Sequence, residues 1–195
     1  MLLKNATAVS ALTILFFLSS CIPKIPLPTP KLNSPAHHAS NGMKFLKINK
    51  LEAALQEFSI AKKLNPNFSI AHAGTGLIQG FNGEFSEGFA SLSSAFKHAS
   101  TDEEKATAKI FLMRFYIVAR ENFDKNWLAY VEDNFNEAIA IVPGSPEPYF
   151  YMGLAYKISS DFRRASEHFI KVIEIDRGYV KEAETEYSII GKIKK

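Results

Sequence analysis

The chain has 195 residues, 47% of them hydrophobic, a formal charge of +3 and a single cysteine. That is enough apolar material for one domain with its own core, and one cysteine excludes a disulfide within the chain. Its 23 basic residues barely outnumber the 20 acidic ones and are scattered rather than striped, which argues against nucleic acid as a partner.

In chain order, Lys4 supplies a short positive region and Ala8–Leu18 an apolar run of signal-peptide length. That run falls short of the about 20 residues a membrane-spanning helix needs. It ends Leu18-Ser19-Ser20-Cys21, which resembles the cleavage box of bacterial lipoproteins. The resemblance implies that residues 1–20 are removed and that Cys21 carries diacylglycerol on its sulfur, usually with a further acyl chain on its amino group. Each buried methylene then contributes about 0.8 kcal/mol to anchoring. Ile22 stands where an aspartate tends to retain such proteins at the inner membrane, so the resemblance points to the outer membrane, with the domain facing the periplasm. An ordinary membrane-buried or unpaired cysteine at a helix end is the bland alternative.

Residues 21–35 hold five prolines between Pro23 and Pro35. Such a segment favours extended polyproline geometry, about 3.1 Å per residue, and reads as a tether reaching roughly 40 Å. A proline-rich ligand for another domain is the sharper alternative.

A spacing then recurs. From Gly42 it runs Phe45 at +3, Ala54 at +12, Phe58 at +16, Ala61 at +19 and Pro66 at +24. From Gly76, 34 residues on, it is weaker: Gly88 at +12, Leu92 at +16 and Ala95 at +19. From Gly153 it reads Tyr156, Ala165 and Phe169. A small residue lets a first helix approach its neighbour, the alanine at +12 sits where a second helix crosses, and proline ends that helix. This pattern resembles the tetratricopeptide repeat family. The resemblance implies an all-α fold of tandem helix–turn–helix units, an α-solenoid of about four units over residues 36–178.

In repeat register the units run 35–68, 69–102, 103–145 and 146–179. The third is extended by nine residues, placed near 121–125, and no glycine marks its first helix. Residues 102–121 read as one long helix opened by the capping box Thr101…Glu104. Residues 179–195 read as a capping helix with a basic tail, its apolar side carrying Val180, Ala183, Tyr187 and Ile190. Lys181, Glu182 and Glu186 form the opposite face, with Glu182, Glu184 and Glu186 read as solvated. A membrane-surface helix is the rival reading.

No catalytic constellation is evident, and no cofactor or metal set. The histidines His37, His38, His72, His98 and His168 lack ligand spacing, with His37 and His38 expected solvated at the start of the first helix. The family resemblance assigns the inner wall to fixed positions of each first helix. These include Ala39, Met43 and Lys47 in the first unit, Ala73, Gly74, Leu77 and Phe81 in the second, and Glu147, Phe150, Tyr151, Leu154 and Lys157 in the fourth. The family's carboxylate clamp is missing, since Ala39, Met43 and Gly74 occupy its lysine and asparagine positions.

The expectation is therefore a lipid-anchored adaptor or scaffold of the bacterial cell envelope, of the kind seen in pilus, secretion or peptidoglycan assembly. A protein partner, either a peptide or an amphipathic helix, would lie in an apolar groove formed by Ala39, Met43, Ala73, Leu77, Phe81, Phe150, Tyr151, Leu154 and Lys157. A homo-oligomer filling its own groove and a carrier of a small apolar ligand stay open as alternatives.

Overall fold

A helix pair closes when its three-residue turn can reverse the chain, and the turns here share one device. The computed structural model describes residues 32–123 and 125–193. Among them run nine α-helices: α1 (Pro35–Lys47), α2 (Leu51–Leu64), α3 (Ser69–Phe81), α4 (Phe85–His98), α5 (Asp102–Val118), α6 (Trp127–Ile141), α7 (Pro146–Ile158), α8 (Phe162–Ile175) and α9 (Val180–Ile193). In the turns after α1, α3 and α7 the middle residue is left-handed: Asn49 at φ 56°, Gly83 at φ 82° and Ser160 at φ 65°. Asparagine and glycine tolerate that region best. The signal peptide, Cys21, the tether up to residue 31 and the last two lysines lie outside the described residues. No helix among the described residues is long and apolar enough to cross a membrane.

Helix starts follow local signals. Ser34 accepts the His37 N–H at 3.2 Å and Pro35 occupies the first turn of α1. Thr101 and Glu104 form both halves of a capping box at α5. α1 and α3 start 34 residues apart, as do α7 and α9, whereas α5 and α7 start 44 apart.

The recurring glycine has a specific tenant. A Cβ on Gly42 would stand 2.7 Å from the Phe58 ring, and one on Gly153 the same distance from the Phe169 ring. In both strong units the aromatic at +16 thus lies in a slot on its own glycine. Phe58 also presses on Gly74 of the next unit, joining α1, α2 and α3 through one fully buried ring. In the middle unit a Cβ on Gly76 would meet the Gly88 carbonyl at 2.6 Å and Leu92 Cγ at 2.9 Å. There α3 and α4 touch backbone to backbone, leaving room for a leucine where the other units hold phenylalanine.

The first helices α1, α3, α5 and α7 pack on one another in sequence and make the inner row. Their partners α2, α4, α6 and α8 flank it, and α9 packs on α8. Two cores result, one over α1–α5 and one over α5–α9, with Phe111 and Phe115 of α5 in the first and Met113 in the second.

The third unit departs from the expected long helix. α5 ends at Val118, where the Arg120 guanidinium donates to the Ile117 carbonyl at 3.1 Å. The extra length is shared between a 17-residue α5 and the connection 119–126. Phe123 of that connection packs edge-on against Tyr116 at 5.0 Å, and Tyr116 stacks on Tyr130 at 5.1 Å. In α6, Val131, Phe135 and Ala138 repeat the 4 + 3 spacing of Ala54, Phe58 and Ala61, and all three are buried.

Two expectations about polar groups are corrected. His38 is not solvated, because its Nδ1 lies 2.7 Å from Glu57 Oε2. On α9, Ala183 and Ile190 are buried, but Tyr187 is exposed. Glu182 pairs with Lys47 of α1 at 3.0 Å and Glu186 pairs with Lys157 of α7, so these carboxylates face the inner row. The helix is rolled so that the flank carrying positions 182 and 186 (one turn apart) turns inward. Glu184 alone of the three stays exposed.

Candidate functional site

Coiling of the inner row brings the first unit to the last helix. Lys47 at the end of α1 reaches Glu182 of α9, and its ammonium sits 4.7 Å from the centre of the Tyr179 ring. Between these ends, α5 contributes Arg114 and α7 contributes Glu147 and Tyr151. Lys47 and Glu147, both expected on the inner wall, belong to this cluster.

The cluster is tightly bonded around Tyr179. Its hydroxyl donates to Glu147 Oε1 at 3.1 Å, and its ring stacks on Phe150 at 4.7 Å between centres. Burial raises the pKa of Tyr179 and of Tyr151. Burial also raises the Glu147 carboxyl above the ordinary glutamate range, with Arg114, the Tyr179 hydroxyl and Lys47 pulling the other way. Tyr151 is a further titratable group beside it, and Glu182 faces Tyr151 and Lys47. An acid with a raised folded-state pKa favours the fold when protonated. The stability it contributes is full below the ordinary glutamate range and is lost as pH rises through the folded value. Glu147→Gln should therefore be more stable than wild type at pH 7, with the gap closing as pH falls through the ordinary glutamate range. Urea denaturation at a series of pH values reads this, and a gap that instead widens in acid contradicts it.

Beside the cluster the wall opens into a cavity of about 200 Å³ lined by Phe81, Arg114, Ile117, Val118, Tyr151 and Leu154. Arg114, Ile117 and Val118 lie three and four residues apart, so they share one face of α5. Tyr151 and Leu154 do the same on α7, and Phe81 closes the cavity from the end of α3. The Arg114 guanidinium lies 4.8 Å from the Tyr151 ring centre and 5.3 Å from that of Phe111. Its side chain is buried, with the residue only 9% exposed.

Three of the residues expected in the groove, Phe81, Tyr151 and Leu154, are thus brought together. The others are distributed differently. Ala39, Ala73, Leu77 and Phe150 are buried at 2%, 0%, 0% and 8% exposure, so they pack within the array and present no wall to a partner. For Ala39, Ala73 and Leu77 the physical reason is the close spacing of α1, α3 and α5, which their small residues permit, whereas Phe150 of α7 is covered by the rings of Tyr179 and Phe169. Met43 is half-buried against the first core, and the Lys157 ammonium is taken up by Glu186. Arg114, Ile117 and Val118 were missed, because the lengthened third unit hides its register. The signal was there, since Arg114 is the lone charge in the apolar run Ile110–Val118.

The architecture defines the class: a tandem helical-repeat solenoid of tetratricopeptide type with a C-terminal helix. A crystal structure of TTC0263, a thermophilic TPR protein of Thermus thermophilus, matches 80% of this chain and 80% of its own, with a TM-score of 0.63 at 15% identity. A double mutant of MamA from RS-1 matches 75% and 78% of the two chains at 22% identity, with a TM-score of 0.45. MamA 41-end from Desulfovibrio magneticus RS-1 matches 81% and 89% at 14% identity, with a TM-score of 0.41. At 15% identity the likeness to TTC0263 is one of fold. No family model and no curated protein matches the sequence.

Proposed function

We propose that this chain is a protein-interaction scaffold of the bacterial cell envelope, anchored by lipid at Cys21 and binding a segment of a partner protein on its inner wall. The single observation that carries the binding reading is the cavity where Phe81 of α3, Arg114 of α5, and Tyr151 and Leu154 of α7 converge. Phe81 is 41% exposed at its rim, an aromatic placed as binding anchors commonly are. Convergence from three successive units suits an extended or helical segment laid across the row. Anchoring rests on the Leu18-Ser-Ser-Cys21 sequence, and facing the periplasm from the outer membrane rests on Ile22. Confinement near the membrane would raise the local concentration of the wall toward partners in that layer.

Crosslinking in intact cells with the full-length chain tests the reading. Phe81→Ala/Leu154→Ala removes apolar wall without touching a fully buried side chain, so the fold should survive. It should lose the partners that wild type captures, and undiminished capture by the correctly folded double variant places binding elsewhere. In the same cells Cys21→Ser should remain unprocessed and take up no labelled palmitate.

A further inference from the structure

On the outer row, α4 borders a groove that is separate from the inner wall. Phe89 stands 45% exposed at its middle, with a recess on either side. One recess, of about 330 Å³, lies between Phe89, Ser93 and Phe96 of α4 and Lys109 and Leu112 of α5. The other, of about 410 Å³, lies between Phe85, Ser86 and Phe89 and the connection residues Asn122 and Phe123. The buried Phe115 ring backs Phe85, Phe89 and Phe123 at 6.4, 6.5 and 6.3 Å between centres. The Lys109 ammonium sits 4.6 Å from the Phe96 ring while pairing with Glu137. The rings are therefore held in place before anything binds, which lowers the cost of binding.

Two aromatic recesses in a row suit a polyproline helix. Helix rise sets the recess centres about 8 Å apart along α4. A polyproline helix presents every third residue on one face, about 9 Å apart, and leaves its carbonyls unpaired. Ser86, Ser93 and Asn122 bring hydroxyl and amide donors to the recesses. The furrow on α2, lined by Leu55, Ser59 and Ile60, has no aromatic ring. This chain carries a matching ligand in Pro23-Lys24-Ile25-Pro26, two prolines three residues apart.

We propose that the groove around Phe89 takes the Pro23–Pro26 segment of a second copy of this chain. Reach decides between copies. Asn33 Oδ1 lies 3.1 Å from His38 Nε2, which ties the chain to the start of α1. That start lies at the edge of the array where α3 begins and α4 ends, since Ser69 donates to the Ala95 carbonyl at 2.9 Å. From there the Phe96 end of the groove is two helix spacings and the flank of α4 away, roughly 25 Å. Pro26 to Leu32 spans about 19 Å as polyproline, too short for Pro26 to reach its own groove. Copies confined to one membrane would meet at raised effective concentration. Reciprocal exchange of the two segments closes a two-fold dimer. The inner wall stays open in such a dimer, so the proposal stands or falls independently of what that wall binds.

A nitroxide on Cys21, the sole cysteine, reports where the segment goes. Unlipidated full-length protein so labelled is mixed, in detergent micelles, with 15N-labelled full-length Cys21→Ser. Amides of Phe85, Ser86, Asn122 and Phe123 in the 15N copy should lose signal, and those of α9 should keep it. Pro23→Ala/Pro26→Ala in the nitroxide copy should restore the lost signals. Phe89→Ala in the 15N copy should restore them too, and its exposed ring makes loss of the fold no part of that effect. Loss that persists with the proline variant, loss centred on Leu55 and Ile60, or no loss at all overturns the proposal. So does loss at the groove only when nitroxide and 15N share one chain, which assigns the groove to the chain's own segment.

Discussion

Phe58→Ala is expected to destabilise the fold by about 3–5 kcal/mol. The ring is fully buried, and it touches both Gly42 of its own unit and Gly74 of the next. On both of those sides the neighbour is a glycine, which has no side chain to swing in and refill the space. The void therefore persists, and large-to-small changes cost most where the site cannot collapse. For a chain of this length that corresponds to a fall in Tm on the order of 10 °C. Chemical denaturation reads the effect directly, and a loss below about 1 kcal/mol would show that Phe58 does not bridge the two units.

Gly76→Ala and Gly191→Ala should change stability in opposite directions. Helix propensity alone favours alanine over glycine by about 1 kcal/mol at both sites. At Gly76 the new methyl would stand 2.6 Å from the Gly88 carbonyl and 2.9 Å from Leu92, in a helix contact with no flexible side-chain tip to yield. Overpacking of this kind costs about 1–3 kcal/mol or more, so clash outweighs propensity and α3 must move off α4. At Gly191 nothing lies within 4 Å, and propensity acts unopposed. The expected result is destabilisation at the first site and a gain of up to about 1 kcal/mol at the second. Stabilisation by both changes would mean that α3 and α4 do not approach this closely.

The same glycines explain why the repeat was legible. A glycine and an aromatic sixteen residues later form a single contact, so their spacing carries tertiary information that propensity does not. The helix starts at Pro35, Ser69, Asp102 and Pro146 follow from caps, prolines and the period. The third unit was harder because its surplus is divided between α5 and the connection 119–126, and the connection is held by rings (Phe123, Tyr116 and Tyr130) rather than by turn residues.

The site was read less completely than the fold. Family positions describe an open wall, but here small residues draw the inner helices together and cover Ala39, Ala73 and Leu77. Whether a side chain at a nominal wall position is reached by solvent depends on how tightly the units coil, a sum of small rotations that no local pattern records. Glu182 and Glu186 were assigned to water for a related reason. Helical periodicity gives the width of an apolar stripe, but not which of its flanks meets a second neighbour. Arg114 was available as a lone charge in an apolar run. Its meaning depended on Tyr151 and Phe81, which arrive from other units.

The inner row coils far enough for Lys47 of the first inner helix to meet Glu182 of α9. Zero-length carbodiimide coupling on the full-length protein measures this, because it joins an amine and a carboxylate only where they touch. Lys157 and Glu186, on α7 and α9, supply the internal control, and Lys47 with Glu182 report the long-range closure. The expected result is both amide crosslinks within one chain, with yields independent of protein concentration. Coupling of Lys157 to Glu186 without any of Lys47 to Glu182 would mean an open row whose two ends never meet.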